Sequence, residues 1–184
     1  MLYEGPIPPR KRATLREIHA IRVGFDPQLR ELWKHLPLSS HTKVLRHQHE
    51  ILSTEIGILE TRGNTVFAPL VSKRLDLMCE LEITFLRKQA PGQLLGEGGD
   101  IDNRIKTLLD ALAIPPLAQQ KEFGDAESSE PIYCVLQDDS LVTEFSVKTD
   151  RLLRTNREEH DLVAIIQVNI TASRLTYANI GIAG

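Results

Sequence analysis

From Leu77 to Phe85 the chain alternates. Leu77, Cys79, Leu81, Ile83 and Phe85 fall on one side, and Glu80, Glu82 and Thr84 on the other. A period of two turns one set toward a core and the other toward water, so this stretch predicts a strand. The period then changes. Ile105, Leu108, Leu109 and Leu112 recur at i, i+3, i+4 and i+7, which predicts an amphipathic helix over Asn103–Leu112 with its apolar stripe on a core. Asp102 or Asn103 is the expected N-cap, and Pro115-Pro116 closes the segment. Ile132 to Leu136 predicts a short strand. Ser140 to Leu153 alternates again, with Leu141, Thr143, Phe145 and Val147 on one face, and Leu162 to Thr171 is rich in Val and Ile. The polar stretch 154–161 between them predicts an antiparallel hairpin.

The first part of the chain is less regular. Leu2 to Ile7 predicts an edge strand, because Pro6, Pro8 and Pro9 bar a central position. Thr14-Leu15-Arg16-Glu17 is a capping box that opens a helix to about Val23, with Gly24 ending it. Asp26-Pro27 then starts a second helix with Leu29, Leu32, Trp33 and Leu36 on its apolar face, and Trp33 is expected in the core. Ser39 to Leu59 fits a helix loosely, Ile56 to Thr61 also suits a strand, and Arg62-Gly63-Asn64 predicts a turn. Leu175 to Gly184 is expected to be a loose tail.

Composition narrows the class. With 184 residues, 41% hydrophobic and 26% charged, the expected organisation is a single domain over residues 1–184 with an ample core. No apolar run approaches a membrane span and the start lacks a signal-peptide core, so a cytoplasmic location is expected. Cys79 and Cys134 make neither a disulfide framework nor a zinc set, and Cys79 falls at an inward strand position. His41, His47 and His49 lack a cysteine partner, and the last two stand at i, i+2, which faces them apart on a helix. A net charge of −3 is not that of a general nucleic-acid binder. Arg10-Lys11-Arg12, Lys73-Arg74 and Arg151, Arg154, Arg157 are nonetheless local cations able to meet phosphates, each of which also reads as solubilising surface.

The chemistry concentrates on the polar edge of the 103–112 helix. Asp102, Lys106 and Asp110 recur there at i, i+4 and i+8, with Asp100 just before. Clustered carboxylates raise one another's pKa unless a cation neutralises them, and oxygen ligands suit hard ions such as Mg²⁺. Lys106 cannot balance three acids. The plain alternative is a solvated helix face whose acids are favoured by the macrodipole. The glycine-rich stretch Gln89 to Gly99 leads into Asp100 but has no Gly-Lys-Ser/Thr, so no nucleotide cofactor is expected.

Asp-x-Asp-Asn-x-x-Lys-x-x-x-Asp-x-Leu at Asp100 to Leu112, followed by Asp138-Asp139 and two alternating strands, resembles the RusA family of Holliday junction resolvases. The resemblance spans roughly Leu75 to Ala172, with a weaker hint in Gly5-Pro6-Ile7-Pro8-Pro9. It implies metal-binding catalytic acids at Asp100, Asp102 and Asp139, an essential Lys106, and Mg²⁺ as cofactor, with Mn²⁺ as a substitute. Asn103, Asp110 and Asp138 stand as supporting candidates. Arg10, Lys11, Arg12, Lys73 and Arg74 are candidate DNA contacts. It further implies branched DNA, a four-way junction, as substrate, and a homodimer whose two sites suit a two-fold-symmetric junction. Residues 1–74 diverge in part from that pattern. Residues 113–137 form an insert made acidic by Glu122, Asp125, Glu127 and Glu130.

The expected fold is therefore α+β: a mixed or antiparallel sheet with the Asp-x-Asp-Asn helix on one face and extra N-terminal helices at the side. The expected activity is Mg²⁺-dependent phosphodiester hydrolysis in DNA recombination and repair. The rivals are a RusA-like nuclease on other branched or flapped DNA, and a non-catalytic DNA-structure-binding protein.

Overall fold

The computed structural model describes residues 1–51, 54–88, 100–122, 130–153 and 162–182, with Asp100 and 120–122 described by backbone alone. Among these, the strands are β1 (Leu2–Gly5), β2 (Glu60–Arg62), β3 (Thr65–Val71), β4 (Leu77–Arg87), β5 (Ile132–Leu136), β6 (Val142–Arg151) and β7 (Leu162–Ala172). The two α-helices are α1 (Leu15–Leu32) and α2 (Asp100–Leu112), and short 3₁₀ turns fill much of 38–50. The fold is α+β with two mixed sheets.

The alternating stretch at Leu77 becomes the centre of a four-stranded sheet ordered β1-β7-β4-β6. Leu77, Cys79, Leu81, Ile83 and Phe85 are all buried, as a period of two requires. β7 runs antiparallel to β4 on one side, and β6 runs parallel to it on the other. The expected β6–β7 hairpin therefore does not form. Alternation shows that a segment is a half-buried strand but not which strand lies beside it, and an eleven-residue strand offers two long edges. A parallel neighbour needs a crossover, and residues 88–141 supply it, carrying α2 and β5. The connecting stretches 89–99 and 154–161 lie outside the described residues.

The second sheet is ordered β2-β3-β5, with β2 antiparallel and β5 parallel to β3. β3 has no counterpart among the expected strands. Its sequence Thr-Val-Phe-Ala-Pro-Leu-Val does not alternate, since both faces are buried, and Pro69 argues against a central strand. Pro69 is accommodated because β2 ends opposite Phe67, leaving β5 as the one paired neighbour at that point. Gly63, with φ of 60°, makes the turn between β2 and β3 that Arg62-Gly63-Asn64 predicts.

α1 opens with the expected capping box: Glu17 N–H donates to Thr14 Oγ1, and Thr14 N–H to Glu17 Oε2 at 2.7 Å. It then runs through Gly24 and Pro27 instead of dividing into two helices. Ile18, Ile21, Arg22, Phe25 and Leu29 form one unbroken buried stripe across both breakers, so burial overrides the local stop signals. Asp26 serves differently from the expected N-cap, accepting from Tyr133 N–H at 2.7 Å and from Arg30 Nε at 2.6 Å. Trp33 is buried, its ring 6.3 Å from that of Tyr133.

The C-terminal segment is tied down and is not loose as far as residue 182. Asn179 is fully buried; its amide donates to Leu75 O at 2.7 Å and Arg174 O at 2.8 Å, and its Oδ1 accepts from Thr176 N–H. One amide thus satisfies three backbone groups. Burial pushes the Cys79 thiol up to about 11 and the Cys134 thiol up to about 12, so both are packing residues and not nucleophiles.

Candidate functional site

α2 starts at Asp100, so Asp102 and Asn103 lie within its first turn and do not cap it. Carboxylates there still benefit from the positive end of the macrodipole. Ile105, Leu108 and Leu112 are buried against α1 and β5, which leaves the opposite edge to Asp102, Lys106 and Asp110. Asp102 and Lys106 are exposed and make no ion pair among the described residues. The N-terminal segment runs along the same helix: Arg104 donates to Ile7 O, Arg10 N–H donates to Asn103 O at 3.0 Å, and Arg10 Nε lies 2.5 Å from Asp110 Oδ2.

The far end of α2 is held from below. Arg22, only 2% exposed, donates from Nε to Ala113 O at 2.8 Å and from Nη2 to Asp110 O at 2.7 Å. A guanidinium fork on the last carbonyls satisfies acceptors the helix leaves open and meets its negative end. Burial lowers the Arg22 pKa to about 10, which leaves it charged at neutral pH.

Asp138 and Asp139 leave the end of β5. Ala113 and Leu136 form a parallel bridge, so this corner lies beside the end of α2. Asp138 accepts from Ser140 N–H at 3.0 Å and from the Ser140 hydroxyl, with Lys73 Nζ at 3.5 Å. The two bonds from Ser140, and then the Lys73 ammonium, hold the Asp138 carboxyl below the usual aspartate range. Gln137 anchors the corner from behind: its Oε1 accepts from Ser72 Oγ at 2.9 Å and Lys73 N–H at 2.8 Å, and its amide donates to Glu60 Oε1 at 2.5 Å. Glu60 in turn pairs with Arg62, whose Nε donates to Pro115 O at 3.1 Å. The turn carrying the acids is thus pinned to β2, β3 and the end of α2.

Asp110, Asp138 and Asp139 line one cleft of about 180 Å³, with Arg22, Arg62 and Gln137 also in its walls. Three acidic and two arginine residues thus border the same cleft. Asp102 does not line it; eight residues separate it from Asp110, roughly 12 Å along the helix axis. Among the described residues no three acidic, histidine or cysteine side chains gather as metal ligands, and the Asp100 side chain lies outside those residues. In addition, Asp110 is paired with Arg10, and Asp138 is engaged by Ser140 and Lys73. The described donors thus do not by themselves make a cation site.

The basic candidates are partly committed as well. Arg10 is held by Asp110, Lys73 by Asp138, and Arg74 donates to Gly57 O at 2.8 Å; Lys11 and Arg12 are exposed. Arg154 and Arg157 lie outside the described residues. His47 and His49 stack at 5.2 Å. Arg22, Arg62 and Gln137 are not among the residues the motif points to. Only Arg22 leaves a trace in the sequence, a charge set within the apolar stripe of α1.

No family model, curated protein or solved structure matches the chain. No described helix is long and apolar enough to cross a membrane.

Proposed function

We propose that this chain is a RusA-like, Mg²⁺-dependent endonuclease that cuts branched DNA, with Holliday junction resolution in recombination and repair as its reaction and Mn²⁺ as an accepted substitute. One observation supports the reading: Asp110, on the polar edge of the Asp-x-Asp-Asn helix, borders the same cleft as Asp138 and Asp139, so the far end of the motif helix lies beside the later acid pair. A RusA-like form of the α+β fold is part of the same proposal. Asp100, Asp102 and Asp139 are assigned to the catalytic acids. Lys106, exposed between Asp102 and Asp110, is assigned to the attacked phosphate, where an ammonium offsets developing charge.

The second reading is a non-catalytic DNA-structure-binding protein, favoured by the separation of Asp102 from the Asp139 cleft. Purified protein incubated with labelled four-way junction, flap and duplex DNA, with and without Mg²⁺, decides between them. Mg²⁺-dependent paired nicks in the junction support the first reading. Cutting of flaps alone moves the substrate within the nuclease class, and binding without cutting under Mg²⁺ or Mn²⁺ supports the second.

A further inference from the structure

β6 ends the four-stranded sheet, and among the described residues no strand pairs with its outer edge. It is ten residues long and contains neither proline nor glycine, so its unpaired backbone groups form a template for another strand. Two side-chain features mark this edge as unfinished. Phe145 is paired with Leu81 and Val147 with Ile83, so these two share the core face of the sheet, yet Phe145 is 53% exposed, with no strand beyond it among the described residues. On the other face Glu144 stands directly beside Glu80, a like-charge pair that costs stability.

We propose that β6 pairs antiparallel with β6 of a second copy of this chain, with the two-fold axis at Ser146. The strand reads Thr143-Glu144-Phe145-Ser146-Val147-Lys148-Thr149 and complements itself about that residue. Reversed on itself, it sets Glu144 against Lys148 and Phe145 against Val147, while Thr143 lies at a register shift opposite Cys79 and is not counted. Both are favourable cross-strand combinations: opposite charges, and aromatic with β-branched. The partner's lysine also brings a cation to the Glu80–Glu144 row, and its valine covers the half-exposed ring. Edge charges usually discourage pairing, but here their order favours one antiparallel register. A shift by one residue would oppose Glu144 to Val147 or Thr149 and bring the core-face side chains of one copy onto the polar face of the other.

This assembly needs neither DNA nor metal, so its test stands apart from the nuclease reading. Sedimentation of the full chain over a concentration range gives the dimer constant. Glu144→Lys and Lys148→Glu should each weaken it about tenfold or more, since the pair occurs twice per dimer, and the double variant should recover most of the loss. Within one strand the two side chains are four residues apart, so recovery arises only between chains. Ser146→Cys should cross-link into a disulfide dimer under mild oxidation, while Glu144→Cys should not, because only residue 146 opposes itself. Cys79 and Cys134 are buried and give no background. Circular dichroism confirms that each variant is folded. A chain that stays monomeric, charge reversals without effect or without mutual rescue, or cross-linking by Glu144→Cys in place of Ser146→Cys would overturn the proposal.

Discussion

Arg10 Nε lies 2.5 Å from the Asp110 carboxylate, so the first residue of the basic triplet is engaged with the last acid of the motif helix. The pair is over a third exposed on both sides, and Arg10→Ala should cost less than ~1 kcal/mol in denaturant unfolding. Asp110→Asn removes a negative charge and releases Arg10 toward phosphates. Junction binding by that variant should tighten at low salt and approach wild type as salt rises, in a fluorescence titration. Weaker binding at low salt would remove Arg10 from the DNA-contacting set.

Asp100→Asn, Asp102→Asn and Asp139→Asn should each abolish Mg²⁺-dependent cutting while leaving junction binding intact or tighter, because loss of negative charge cannot weaken attraction to phosphates. Gel assays of binding and cleavage on the same junction report both. Near wild-type cutting by any of the three would strike that acid from the assignment.

Asp138 should matter for stability more than for cutting. It caps the turn Asp139–Leu141, so Asp138→Ala should cost ~0.5–1 kcal/mol at neutral pH, the lower part of the capping range because the side chain is nearly half exposed. The carboxyl's pKa is depressed in the folded chain, so its contribution is present above the ordinary aspartate range and is lost as pH falls through the lower folded value. Urea midpoints of wild type and variant should therefore converge in acid. A gap that widens below the aspartate range would contradict the capping role.

Arg22→Ala removes a buried fork from the carbonyls of Asp110 and Ala113 and should destabilise the chain by ~2–4 kcal/mol. Arg22→Lys should recover little, since a single ammonium does not reproduce the two-pronged geometry. Thermal unfolding of both variants checks this, and full recovery by lysine would reduce Arg22 to a simple charge.

The insert is anchored more deeply than its acidity suggests. Ile114 and Pro115 are buried beside β5, and Glu130 pairs with Arg30 at 2.8 Å; 123–129 lie outside the described residues. Replacing 118–129 by a short Gly/Ser linker that keeps Glu130 should cost little stability, because loop-closure entropy varies slowly with length. Low-salt DNA affinity should rise as Glu122, Asp125 and Glu127 are lost. A deletion that lowers both stability and affinity would show that the segment is an integral surface.

Periodicity was readable wherever one face of an element is buried. The α2 stripe, the alternation of β4 and the Thr14–Glu17 box each appear in the structure where the spacing puts them. β3 was illegible because both its faces are buried and it contains Pro69. The placement of β6 and β7 on opposite sides of β4 was illegible because strand order is a long-range property. At the candidate site the acids are visible as a motif. Their supports, Arg22, Gln137 and Arg62, act on backbone groups and side chains far away in sequence, which no local pattern records.

Asp139 stands only three residues before β6 begins at Val142. In the proposed β6-to-β6 pairing Val142 opposes Asp150, so the two Val142 residues are eight strand positions apart, about 26 Å, with an Asp139 beyond each end. The shared ribbon would then act as a ruler between two cutting points. A one-residue change in strand register would alter that separation by one residue rise, about 3.3 Å, and on the nuclease reading mapped nick positions would report on how the two chains are joined.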